Sequence, residues 1–124
     1  MSTTQRILVV EDDPDGQALV AHVLGHINIP IDLAGDADQA SSYLFGSGMA
    51  YRAVIIDLAL PGRDGWELLA EIQGDERTQG LPCIAVTAFH TSKIREEAIK
   101  AGFTAYFPKP IDAMTFAREL EALL

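Results

Sequence analysis

The stretch Ala53-Val54-Ile55-Ile56-Asp57-Leu58-Ala59-Leu60-Pro61-Gly62-Arg63-Asp64-Gly65 decides the fold of this chain. Four apolar residues, three of them β-branched, run unbroken into one carboxylate. A strand covered by helices on both faces of a parallel sheet reads this way, because neither face meets water. Pro61, Gly62 and Gly65 then mark a turn. Open α/β sheets take their ligands in the crevice at the carboxyl ends of the strands, so Asp57 stands where a ligand is expected.

Upstream, Arg6 to Val10 reads as a first strand that ends in Glu11-Asp12-Asp13. Asp13 suits a helix N-cap and Pro14 the first helical position. Leu19, Val20, Val23, Leu24 and Ile27 then recur at helical spacing. Ile31 to Ala34 is a short second strand. Asp36 caps a helix with Ala37, Ala40 and Leu44 inward and Gly46 closing it. Downstream, a helix over 65–73 buries Leu68, Leu69 and Ile72, and Pro82 opens a strand from Cys83 to Thr87. A helix follows over 92–101, with Gly102 in the left-handed position after it. A last strand, Ala105-Tyr106-Phe107, leads into a helix over 112–123 with Ala113, Phe116, Leu120 and Leu123 on one face. Five strands alternating with five helices give a doubly wound α/β fold with a five-stranded parallel sheet, one domain over 1–124.

Composition narrows the function classes. At 124 residues and 48% hydrophobic, the chain has material for a core and is not disordered. No apolar run nears the roughly 20 residues of a membrane helix. Met1 to Arg6 lacks a signal-peptide hydrophobic region, so a cytoplasmic setting is expected. Cys83, the one cysteine, lies in an apolar run and reads as a buried structural thiol. Nine basic against eighteen acidic residues give a net charge of −9, which weighs against direct nucleic-acid binding.

Parallel strands deliver their ends to one edge, here Glu11, Asp12, Asp57, Thr87 and Lys109. Two like charges 4 Å apart repel by about 4 kcal/mol at an effective dielectric near 20. Three carboxylates so placed need a cation, or one must take up a proton. Oxygen donors without imidazole or thiolate favour a hard ion, Mg²⁺ before Zn²⁺. Asp13 is read as the helix cap alone. Lys109, with Thr87 and Asp57 on the same edge, is placed to hold an anion beside the metal. Lys109-Pro110 is an X-Pro bond, the place where cis peptides occur. His22, His26 and His90 are scattered in sequence, and none is read as a ligand or base.

These residues resemble the receiver domain of two-component response regulators. The matching pieces are Ile7 to Asp13, Asp57 with Pro61 and Asp64-Gly65 behind it, Thr87-Ala88, and Tyr106 ahead of Lys109-Pro110. They span nearly the whole chain in the family's order. The resemblance implies the flavodoxin-like receiver topology and Asp57 as acceptor of a phosphoryl group from a sensor histidine kinase or phosphotransfer protein. It implies Mg²⁺ held by Asp12, Asp57, the Ala59 backbone carbonyl and, through water, Glu11. It further implies Lys109, the Thr87 hydroxyl and the Ala88 amide on the phosphoryl oxygens. Thr87 and Tyr106 are then the switch pair, altering the face built by the fourth helix, fifth strand and fifth helix. The chain ends when that helix is complete, so a stand-alone switch that acts by protein contact, not a turnover enzyme, is expected.

Three rivals fare worse. A flavodoxin-like redox protein needs a hydroxyl- and glycine-rich phosphate loop where this chain has Glu11-Asp12-Asp13-Pro14-Asp15. A phosphatase with an aspartyl-phosphate intermediate needs a second carboxylate two residues past the nucleophile, where Ala59 stands. A phosphorylation-independent pseudo-receiver binding module does not need the intact acid, threonine and lysine set. Ala59 and Phe89 flank the path of a hydrolytic water, and neither side chain can hydrogen-bond it. A long-lived phosphoaspartate is therefore expected.

Overall fold

The computed structural model describes residues 6–46 and 50–124, which form five strands and five helices in alternation. These are β1 (Arg6–Val10), α1 (Pro14–His26), β2 (Ile31–Ala34), α2 (Ala37–Gly46), β3 (Tyr51–Asp57), α3 (Gly65–Gln73), β4 (Cys83–Thr87), α4 (Ser92–Ala101), β5 (Ala105–Pro108) and α5 (Ala113–Leu123). The strands are all parallel, in the order β2-β1-β3-β4-β5. The order reverses at β1, which has β2 on one side and β3 on the other. The crevice between the carboxyl ends of β1 and β3 is therefore the switch point at which such sheets bind ligands.

Period-two alternation divides the strands between two cores. Leu8, Val10, Val54, Ile56 and Ala85 meet Ala40, Leu68, Ile72 and Ala98 of α2, α3 and α4. Ile7, Val9, Ile55, Ile84 and Val86 meet Val23, Leu24, Phe116 and Leu120 of α1 and α5. Full burial of each large aliphatic or Phe side chain contributes about 1.5–3 kcal/mol. The unbroken apolar run before Asp57 is thus explained: one half of it faces each core.

Local signals set the helix starts. Asp13 accepts hydrogen bonds from the amides of Asp15 and Gly16, and Asp112 from those of Met114 and Thr115. Asp64 and Glu67 form a reciprocal capping box at α3. Gly102 takes φ 120° after α4, the left-handed conformation expected of it. A Cβ on Gly65 would stand 2.6 Å from the Asp57 carbonyl oxygen and 2.8 Å from Leu58 Cα. Only glycine lets α3 begin this close to the end of β3.

Two expectations need correction. β3 begins at Tyr51, two residues before the apolar run. Tyr51 pairs with Arg6 in the sheet, and its hydroxyl donates to Asp32 Oδ2 at 2.7 Å. Arg6 meets the same carboxylate at 3.0 Å. That polar trio gives Tyr51 a place in the sheet that hydrophobicity does not signal. Ala113 is exposed and does not join Phe116 and Leu120 in the core. The first turn of α5 instead borders a groove against α1, beside His22 and Met114. Residues 1–5, at the start of the segment in which no signal peptide is read, lie outside the described residues. Among the described residues no helix is long and apolar enough to cross a membrane.

Candidate functional site

The sheet's hydrogen bonding continues past the strand ends and fixes the level of the site residues. Glu11 N–H donates to the Ala34 carbonyl at 2.9 Å, and Leu58 N–H to that of Val86 at 3.0 Å. Lys109 N–H donates to the Thr87 carbonyl at 2.8 Å. Asp57 pairs with Val86, and Thr87 with Pro108. Glu11, Asp57, Thr87 and Lys109 are thereby gathered at one edge, and the Lys109-Pro110 bond that follows is cis.

Glu11 and Asp57 are 2% and 5% exposed. Together with the exposed Asp12, each offers a carboxylate oxygen within 4.8 Å of the other two. Lys109 Nζ lies 2.9 Å from Asp57 Oδ2 and also donates to Glu11 Oε1. The Ala59 amide donates to Asp57 Oδ1 at 2.9 Å. Burial and the hydrogen bond to Asp57 push the Glu11 carboxyl up to about 7, against the pull of Lys109. Burial also opposes the Asp57 charge, but hydrogen bonds from Glu11, the Ala59 amide and Lys109 outweigh it and hold this carboxyl below the usual range. Burial likewise opposes the Lys109 charge, and its bonds to Glu11 and Asp57 outweigh it and raise its pKa. The crowding of acids is thus relieved in both ways that electrostatics allows, by an ammonium and by a raised proton affinity.

Glu11 Oε2 is buried with no hydrogen-bond partner among the described residues. An orphaned carboxylate oxygen in an all-oxygen cluster fits a hard divalent cation, which satisfies lone pairs that no donor reaches. The residues present therefore fit Mg²⁺.

Thr87 is buried, and its Oγ1 accepts the Phe89 amide at 3.0 Å, which leaves the hydroxyl hydrogen to donate elsewhere. Ala59 and Ala88 are exposed. Leu58, Ala59, Trp66, Thr87, Phe89 and Ile94 line a groove of about 240 Å³ beside the acid cluster. Tyr106 is buried, its hydroxyl 2.9 Å from His90 Nδ1 and its ring under the Arg95 guanidinium, 5.4 Å from the centroid. Sequence reasoning missed His90, and no local signal marks a contact made 16 residues away. Cys83 is buried as expected, and burial pushes its thiol up to about 12.

The three histidines are not all scattered. His22 and His26 share one face of α1, with their Nε2 atoms 3.1 Å apart. The cause is the helical period, which stacks residues four apart.

Comparison with known proteins agrees with this geometry. A family model described as the response regulator receiver domain matches residues 7–121. The uncharacterized 14.6 kDa protein in the sodA1 3′ region of Leptolyngbya boryana is 33% identical over 112 residues, 90% of this chain and 84% of its own. Response regulator RppA of Synechocystis is 35% identical over 120 residues, 95% of this chain and 50% of its own, so the chain spans about half of that relative's length. Among solved structures, the receiver domain of sensor histidine kinase PA1611 from Pseudomonas aeruginosa superposes with a TM-score of 0.84 at 31% identity, over 97% of each chain. That structure holds a magnesium ion coordinated in its active site cleft. A receiver match over nearly the whole length, on a sheet whose ends carry an acid cluster and a lysine, leaves one conclusion: the chain belongs to the response regulator receiver domain family, the signalling switches of two-component systems, which are not turnover enzymes.

Proposed function

We propose that phosphorylation of Asp57 switches this receiver, the phosphoryl group coming from a phosphohistidine on a sensor histidine kinase or phosphotransfer protein. The contact between Lys109 Nζ and Asp57 Oδ2, 2.9 Å at the sheet's switch point, carries the reading. An Asp57 carboxylate oxygen forms the O–P bond while the donor's N–P bond breaks, and the imidazole leaves with that bonding pair. Charge then spreads over the phosphoryl oxygens, and stabilising it is the main work of such a transfer. Lys109 is held in place before the reaction, so its ammonium needs no reorganisation to meet those oxygens. The Thr87 hydroxyl donates to one of them, and the Ala88 amide to another. Glu11, Asp12, Asp57 and the Ala59 carbonyl are the proposed holders of Mg²⁺, Glu11 acting through water. When bound, the ion supplies positive charge opposite the transferring oxygens.

The switch runs through the segment after β4. Drawing Thr87 toward the phosphoryl group pulls on Ala88, Phe89 and His90. His90 Nδ1 sits 2.9 Å from the Tyr106 hydroxyl, so the pull passes to Tyr106 and changes the α4–β5–α5 face offered to a partner. Output by protein contact in the cytoplasm completes the reading, and a net charge of −9 disfavours direct contact with nucleic acid. An intact acid, threonine and lysine set favours it over a phosphorylation-independent binding module.

The test is intact mass after incubation with a small-molecule phosphodonor, with and without Mg²⁺, alongside Asp57→Asn. A Mg²⁺-dependent gain of one phosphoryl group, absent from the variant, is expected. No gain under any condition, or an equal gain in Asp57→Asn, overturns the reading.

A further inference from the structure

We propose a second metal site on this protein: His22 and His26 chelate a borderline divalent transition ion of the Zn²⁺ class. The two residues stand one turn apart on α1, both exposed. Their rings are perpendicular, with centroids 4.5 Å apart, and their Nε2 atoms are 3.1 Å apart. Zn–N bonds are about 2.05 Å long, so nitrogens at this separation subtend an angle of about 98° at a shared ion. That bite lies between the octahedral and tetrahedral angles, and the ion enters without a change in the helix.

The chemistry agrees with the geometry. At 3.1 Å, one imidazole donates its Nε2 hydrogen to the other. A neutral imidazole can carry that hydrogen on Nδ1 instead, so binding frees both Nε2 lone pairs without net loss of a proton. His26 is the last residue of α1, where the negative end of the helix dipole favours a cation. The helix also holds both ligands in place beforehand, which removes much of the entropic cost of chelation.

This site is separate from the acid cluster in place and in preference. About eight residues of helix, roughly 12 Å of rise, separate the start of α1 from His22, the nearer of the pair. Imidazole nitrogens suit Zn²⁺, Ni²⁺ and Cu²⁺, whereas carboxylate oxygens suit Mg²⁺. Two different ions can therefore be held at once, and the inference does not depend on Asp57 being phosphorylated.

The experiment titrates the full chain with ZnCl₂ in excess Mg²⁺, which keeps the acid cluster occupied, and follows heat and the imidazole nitrogen resonances. One saturable equivalent is expected, with His22 and His26 Nε2 shifted and His90 unmoved. His22→Gln and His26→Gln should each weaken binding by about tenfold or more, and His90→Gln should leave it unchanged. No saturable binding, or binding that persists in the double variant His22→Gln/His26→Gln, overturns the proposal. Heat of binding with no movement of the His22 and His26 nitrogens overturns it too, since the ion has then gone to other ligands.

Discussion

Lys109 and Asp57 are 52 residues apart in sequence and 2.9 Å apart in the fold, and the same ammonium also reaches Glu11. One cation thus serves two buried carboxylates. Lys109→Met leaves those acids facing each other without it. Removing one partner of a buried ion pair costs about 3–5 kcal/mol, and here Glu11 limits the loss by taking up a proton. The expected cost is about 2 kcal/mol near pH 8, and less than half of that near pH 5.5. Urea midpoints at the two pH values measure it. An equal loss at both shows that Lys109 acts by packing.

The Glu11 carboxyl makes a prediction about pH in metal-free protein. Its pKa is about 7 when folded and near the ordinary carboxyl value when unfolded. Between those values the folded chain holds a proton that the unfolded chain has released, so stability falls as pH rises through this window. Asp57 is shifted downward, and its stabilisation is lost only as pH falls below the ordinary aspartate range. The two effects occupy separate windows. In the presence of a chelator, the unfolding temperature should decline from about pH 5 to pH 7.5, and Glu11→Gln should flatten that decline.

Gly65 packs against main-chain atoms. The Cβ of Gly65→Ala meets the Asp57 carbonyl oxygen and Leu58 Cα, and neither can move aside as a flexible side chain can. The variant should lose about 1–3 kcal/mol, the usual cost of overpacking. It should also take up phosphoryl groups more slowly, because α3 is forced from the end of β3. Thermal unfolding and the rate of mass gain read the two effects separately.

Ala59 and Phe89 line one groove beside Thr87, and Phe89 is 69% exposed. Neither can orient a water by hydrogen bonding. Phosphorylated Asp57 is therefore expected to persist. The double change Ala59→Asn/Phe89→Glu should hasten phosphate release by about tenfold, the order expected from positioning the attacking water. An unchanged decay rate shows that water reaches the phosphoryl group without side-chain help.

The architecture and the location of the site could be read from the sequence because their signals are local. Asp13, Asp64 and Asp112 cap the helices that follow them, and Gly102 takes the left-handed turn after α4. The run into Asp57 is a strand buried on both faces. Parallel strand ends must share an edge, so Glu11, Asp57, Thr87 and Lys109 could be grouped before any distance was known. The spacing of four between His22 and His26 is equally local, and on a helix it sets the two rings on one face instead of scattering them.

The tertiary structure alone decided how those groups meet. That Lys109 bridges Glu11 to Asp57, that Glu11 titrates near 7, and that His90 holds the Tyr106 hydroxyl depend on register, crossover paths and burial summed over the whole fold. The Arg6–Asp32–Tyr51 trio, which lengthens β3, is of the same kind. Hydrophobic periodicity and capping act within a few residues and fix which elements form. Side-chain distances across a sheet, and the proton affinities they set, exist only once distant strands have packed.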